Sequence, residues 1–171
     1  MKNTFKLLGI IVLLAVTGFS MASCTGGGGK SFNSANDLMA YLNKQPANGP
    51  DKPIRVTMNA NAPMLEKIAE AINESGKYVS LNITGAALKE IPDWAFEGCD
   101  TLVSINIPAS VTEIGREAFA DCDSLASIKF EGAVRFFNDS LPGDLFTKLQ
   151  AGGIGTYTTE RPGYFSTWTK Q

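Results

Sequence analysis

The chain has 171 residues, 44% hydrophobic and 19% charged, with 15 basic against 17 acidic side chains and no histidine. The balance of −2 falls to about −4 once segment 1–23, which holds Lys2 and Lys6, is set aside; nucleic-acid binding, which needs basic patches, is disfavoured. The absence of histidine removes Ser-His-Asp and Cys-His catalysis, imidazole zinc sites and histidine pH switching.

Met1 to Lys6 is short and basic, and Leu7 to Phe19 is an uncharged, mostly apolar run. A spanning helix needs about 20 residues, so the run is too short and fits a secretory signal peptide instead. Met21-Ala22-Ser23-Cys24 resembles a bacterial lipobox. That resemblance implies a leader over 1–23 and an acylated Cys24 as the new N-terminus. Two or more acyl chains hold a protein firmly on a membrane. Thr25 after that cysteine, in place of aspartate, is compatible with export beyond an inner membrane, by analogy with other bacteria. The four glycines that follow are expected to make 24–33 a flexible tether. Gly29-Lys30-Ser31 imitates the end of a phosphate-binding loop, but that loop needs a glycine where Cys24 stands.

A helix is predicted over Leu38 to Leu42, where Leu38, Tyr41 and Leu42 share a face behind capping residues at Ser34 and Asn36. A proline-rich loop leads to an alternating strand at Ile54 to Met58. Met64 to Glu74 is a clear amphipathic helix, with Leu65, Ile68, Ala69 and Ile72 on one side, Pro63 at its start and Gly76 at its stop. Segment 34–77 reads as a small α/β N-terminal cap, since the end turn of a solenoid otherwise exposes its apolar interior.

From Leu88 to Phe130 the chain repeats itself. Ile91, Ala95-Phe96, Cys99, Leu102 and Ile105-Ile107 recur as Ile114, Ala118-Phe119, Cys122, Leu125 and Ile128-Phe130, every pair at one and the same offset. A fixed period in the twenties marks a solenoid of leucine-rich type. Strands are expected at Ser80 to Thr84, Val103 to Ile107 and Ala126 to Phe130, the first set back by one extra position. Alternation turns Leu81, Ile83, Ile105, Ile107, Ile128 and Phe130 inward. It turns Ser80, Asn82, Thr84, Ser104, Asn106, Ser127 and Lys129 outward as a candidate protein-binding face. Trp94 to Gly98 and Glu117 to Asp121 read as short helices carrying the Ala-Phe pairs. Stacking of Cys99 over Cys122 leaves two states open, neighbouring free thiols or a disulfide; metal binding lacks further ligands. Three strands about 4.8 Å apart would make a sheet about 10–15 Å wide.

The run Ile-x-x-x-Ala-Phe-x-x-Cys-x-x-Leu-x-x-Ile-x-Ile-Pro-x-Ser-Val-Thr-x-Ile resembles the BspA-type leucine-rich repeat of bacterial surface antigens, strongly over 91–131 and more weakly back to about residue 78. Gly155-Thr156-Tyr157-Thr158 and the final Thr167-Trp168-Thr169-Lys170-Gln171 resemble the tail of lipoproteins with these repeats in host-associated spirochaetes. The resemblance implies a surface lipoprotein of the outer membrane that attaches to host proteins, such as those of the extracellular matrix, or to other bacteria. It transfers no catalytic residue.

After Gly132 the period is expected to stop, with Val134 to Phe137 covering the open end and Pro142-Gly143-Asp144 starting a short helix. Residues 132–171 then form an irregular C-terminal cap, in which Gly155 to Thr158 and Ser166 to Thr169 pair through Arg161-Pro162-Gly163. Tyr157, Tyr164 and Trp168 either cover the core or form an exposed aromatic patch. The expected whole is an α/β protein: a short leucine-rich repeat solenoid of about three rungs over 78–131, between caps. No paired carboxylates, metal spacing or nucleophile-base set stands out. The expectation is a non-enzymatic interaction module with a protein partner, a lipid anchor at Cys24, no cofactor, no nucleic acid and no small-molecule substrate. The alternative is a coat lipoprotein or envelope accessory subunit without a host ligand.

Overall fold

The computed structural model describes residues 29–137, 139–163 and 165–171. Cys24 and the leader lie outside the described residues, as does Tyr164. Within this part, the chain runs β1 (Lys30–Phe32), α1 (Ala35–Leu42), β2 (Ile54–Asn59), α2 (Ala62–Ser75), β3 (Val79–Thr84), β4 (Glu90–Ile91), β5 (Leu102–Ile107), β6 (Glu113–Ile114), β7 (Ser127–Phe130), β8 (Arg135–Phe136), α3 (Leu145–Gly152), β9 (Gly155–Thr158) and β10 (Thr169–Lys170). Seven strands form one sheet in the order β1-β2-β3-β5-β7-β9-β10, and β4-β6-β8 form a second.

The first five strands of the main sheet are parallel, and each is reached by a crossover. At the N-terminal side the crossovers are helices. Ser34 caps α1 by accepting from the Asn36 amide at 3.2 Å. α2 has its proline in the first turn and ends on Gly76, whose φ of 59° satisfies the left-handed stop. Leu38 and Leu42 of α1 and Leu65, Ile68 and Ile72 of α2 are buried in the same core as the strands.

Further on, the crossovers shrink. The segments around Ala95-Phe96 and Ala118-Phe119 are turns, not the short helices expected from the sequence. Trp94, Glu117 and Asp121 take φ of 58°, 50° and 53°, and left-handed residues break a helix. Amides of these segments bond the next turn instead. Trp94, Phe96 and Gly98 donate to the carbonyls of Arg116, Ala118 and Ala120, each at 2.9 Å. The turns thus stack as a ladder, with Phe96 and Phe119 face to face at 5.4 Å and 3°. α2 occupies the same layer: Asn73 Nδ2 donates to the Gly98 carbonyl at 2.8 Å.

Three other expectations change. Lys30–Phe32 forms β1 in the sheet, so the stretch read as a tether is ordered at its end. Residues 34–77 extend the same parallel sheet through β2. Repetition does not stop at Gly132, because Arg135–Phe136 adds a strand to the second sheet, one position short of a full step after Glu113–Ile114. Ser140-Leu141, both buried, follow Ala118-Phe119 at the same shortened step, and the Phe119 amide donates to the Ser140 carbonyl at 3.3 Å. At the far side the sheet reverses. β9 pairs antiparallel with β7, and β10 antiparallel with β9. Tyr157 and Trp168 are buried, so these two cover the core. Tyr157 meets Phe130 edge-on at 6.0 Å.

Candidate functional site: the outer face of the main sheet

Register aligns the polar residues of neighbouring strands. Arg55, Ser80, Ser104, Ser127 and Thr158 form one row, and Thr57, Asn82, Asn106, Lys129 and Thr156 the next. Six of the seven candidate strand-face residues lie in these rows. Thr84 stands at the end of β3, opposite Asn59, and donates to the Met58 carbonyl at 3.2 Å.

These side chains bond each other. Ser80 Oγ and Ser104 Oγ share a 2.6 Å hydrogen bond. Asn106 Nδ2 donates to Asn82 Oδ1 at 2.7 Å and to Glu131 Oε1 at 3.1 Å, and Asn82 Nδ2 reaches Thr57 Oγ1 at 3.4 Å. Lys129 pairs with Glu131 at 2.8 Å. That pairing, with the Asn106 contact, holds the Glu131 carboxyl below the usual range against an opposing desolvation effect. Asn106 Oδ1 is buried without a partner among the described residues. The middle of the face is therefore a flat polar ladder in which Ser80, Ser104, Asn82 and Asn106 bond one another.

Its size follows from the strand count. Seven strands about 4.8 Å apart span about 29 Å, twice the width expected from three. With short strands, the flat area is about 400 Å², half of the roughly 800 Å² per partner of a stable complex.

Cys99 and Cys122 are buried free thiols. Cys122 donates through Sγ to the Phe96 carbonyl at 3.0 Å, and Cys99 points at the Ala69 carbonyl of α2 at 3.9 Å. Burial, helped by Asp100, pushes the Cys99 thiol up to about 12; burial and the neighbouring Cys99 push Cys122 up further. Neither is poised as a nucleophile. No group of three or more histidine, cysteine or acidic residues among the described residues is arranged to hold a metal ion.

The stack of strand, turn and second strand recurs at a near-constant step. Residues 62–141 match the family model described as BspA type Leucine rich repeat region (6 copies). No curated protein and no solved structure matches the chain. The BspA-type region begins at the first residue of α2, where the helix sits in the layer of the Ala-Phe turns. It ends at Leu141, with the last turn that keeps the step. Leucine-rich repeats generally mediate protein–protein binding and are typically non-enzymatic.

What sequence reasoning missed is the flank formed by the second sheet. Trp94 is 54% exposed and Phe137 42%. A signal for Trp94 was present: it aligns with Glu117 one repeat on, and a position that is acidic in one turn faces water in the next. Pro92, Asp93, Trp94, Glu90, Glu113 and Gly115 line a groove of about 350 Å³ there.

Proposed function

We propose that the protein is a lipid-anchored, surface-displayed interaction module of adhesin-like type, acting without catalysis. In this reading the leader directs export, Cys24 carries the anchor, and a short solenoid of about three rungs, closed by the α/β lead-in and by β9–β10, is held off the outer membrane. The partners are surface proteins of a host, such as those of the extracellular matrix, or of other bacteria.

The observation that carries the reading is the match of residues 62–141 to the BspA-type repeat, whose main sheet presents a flat polar face with Ser104 buried at its centre. Magnitude supports binding by many copies. A face of about 400 Å² whose central side chains bond one another should bind weakly alone, whereas copies crowded on one membrane add avidity of about 10²-fold or more.

The test presents the full chain carrying Cys24→Ser to immobilised extracellular-matrix proteins, first as monomer and then clustered on beads. Weak or absent monomer binding with firm bead capture is the expected pattern. Absence of capture in both formats removes the adhesin reading and leaves the coat protein. Protease treatment of intact cells checks location: cleavage is expected, and full protection overturns surface display.

A further inference from the structure

None of the described residues covers the outer side of the second sheet, and that side is not built like the main face. β4, β6 and β8 turn Ile91, Ile114 and Phe136 toward the core and present Glu90, Glu113 and Arg135 outward. Beyond the strands the next equivalent positions are Pro92, Gly115 and Phe137, half-buried, buried and exposed in turn. Gly115 has to be glycine, because a Cβ would lie 2.4 Å from the Asp93 amide and carboxylate. Buried beneath Asp93, it lets the two turns pack closely at the base of the groove. Trp94 forms one wall, and the carboxylates of Glu90, Asp93 and Glu113 stand around it.

These carboxylates are unequally used. Glu113 pairs with Arg135 at 3.0 Å, and Asp93 Oδ1 accepts from the Arg116 amide at 2.7 Å. Glu90 has no ionic partner among the described residues. The Trp94 ring likewise has no aromatic or cationic neighbour among them. One turn further along the same flank, the chain supplies such a neighbour itself: the Arg116 guanidinium lies 5.2 Å over the Phe137 ring. The flank thus holds one ring stacked by an internal arginine and one bare ring beside free carboxylate.

The charge of the stretch that builds the repeats, counted over all its faces, says which partner suits the flank. From Glu90 to Asp144 eleven acidic residues face three basic ones (Arg116, Lys129, Arg135), a balance of −8. The rest of the chain from Gly29 has ten basic against six acidic residues, or +4. Acid continues along the stacking direction from Trp94, since Glu117 and Asp139 hold the equivalent position in later turns. Both line the neighbouring cleft of about 720 Å³ with Asp121 and Asp144.

We propose that this flank docks a basic segment of a partner protein, with one arginine or lysine seated on Trp94 in the groove and further cations along Glu117, Asp121 and Asp139. This rests on the interaction-module reading above and names the partner class and the surface. A cation over the face of a tryptophan is attracted by the ring quadrupole even at an exposed site. The acidic field raises the encounter rate and makes it salt-dependent. An exposed tryptophan of this kind is a typical energetic anchor of protein interfaces.

The test titrates fluorescein-labelled octa-arginine and octa-glutamate into the full chain carrying Cys24→Ser, at low and at physiological salt. Octa-arginine is expected to bind, more weakly at higher salt, and to quench the exposed Trp94 while leaving buried Trp168 unaffected. Trp94→Gly suits the local backbone and should fold; it is expected to weaken binding about tenfold. Glu90→Gln should weaken it about two- to threefold, roughly the value of one exposed ion pair. Lys67→Ala, on the outer side of α2, should change nothing. Equal binding of octa-glutamate, or a Trp94→Gly titration that matches wild type, overturns the proposal. Bead capture separates the two readings. Matrix capture that survives Trp94→Gly keeps the adhesin and removes the groove. Octa-arginine binding lost in Trp94→Gly, with no matrix capture by the parent, keeps the groove and removes the adhesin.

Discussion

On the main-sheet side, Ser80 bonds Ser104, Asn106 bonds Asn82, and Lys129 bonds Glu131. On the flank, Trp94 and Glu90 point into water while Glu113 and Asp93 are only partly engaged. Both surfaces come from one and the same repeat. Their difference lies in what stacking does to each position. On the strand side the same small polar type recurs from turn to turn, so stacking brings like beside like and the residues satisfy each other. On the flank the types change between turns, Trp94 to Glu117 to Asp139 and Pro92 to Gly115 to Phe137, so stacking leaves unmatched groups. A recurring position builds the ladder; an unmatched one is free to recognise something else.

The two sides share one interior, and the largest effect should strike both together. Phe96→Ala removes a ring stacked on Phe119 and fully buried, at an expected cost of about 3–5 kcal/mol. Urea denaturation followed by circular dichroism measures it. If the flank melted separately from the main sheet, two transitions would appear. The buried thiols sharpen the same point. In the full chain carrying Cys24→Ser, Cys99 and Cys122 should resist a thiol reagent at neutral pH and both react once urea unfolds the chain. Because their folded thiols titrate high, the stability they contribute is complete below the unfolded thiol value of about 8.5 and lost as pH rises from there toward about 12. Denaturation midpoints at pH 7 and 10 test this, and an unchanged midpoint contradicts it.

How legible all this was depends on whether a signal ran along the chain or between turns. β3, β5 and β7 fall within a residue or so of the expected strands, because alternation and the constant repeat step are local facts. The limits of α2 were likewise written by Pro63 and Gly76. β1 was hidden by the glycines before it and by having only three residues. β4, β6 and β8 have two residues each, too few to show alternation. The Ala-Phe segments looked helical since their apolar spacing suits a turn of helix. What decides them is the bond from each Phe96-type amide to the next turn, which no single repeat contains. The shortened echo in Arg135–Phe136 and Ser140-Leu141 was masked by the swap of Ala-Phe for Ser-Leu. The strand-face residues were read from alternation, but not that they would consume each other's donors.

Among surface changes, Asn106→Ala should be the most costly, at about 1–2 kcal/mol, because it leaves Asn82 Oδ1 without its donor in a half-buried row. Chemical denaturation checks it, and Thr84→Ala at the exposed end of β3 should cost clearly less. Trp94→Gly should move the other way. Its φ of 58° is one that an L side chain adopts at about 1–2 kcal/mol and glycine adopts freely, offset by about 0.5–1 kcal/mol of extra chain entropy on unfolding. A net gain of up to about 1.5 kcal/mol is expected; a loss would mean that the indole packs for stability after all.

The smallest effect belongs to Glu131. Its folded carboxyl titrates below the unfolded carboxylate value of about 4.3, chiefly through Lys129 and then through Asn106. The sign follows from linkage. A depressed pKa stabilises the fold above that unfolded value, and the contribution disappears as pH falls through the folded pKa. Its side chain is 37% exposed, so solvent screening holds the contribution to a few tenths of a kcal/mol. Glu131→Gln should therefore be slightly less stable than wild type at pH 7 and indistinguishable near pH 3. High salt at pH 7 should also close the gap, since an exposed pair is screened. A gap that persists in both conditions would assign the loss to the Asn106 hydrogen bond and the shape of the ladder, and so make the main face a packing device more than an electrostatic one.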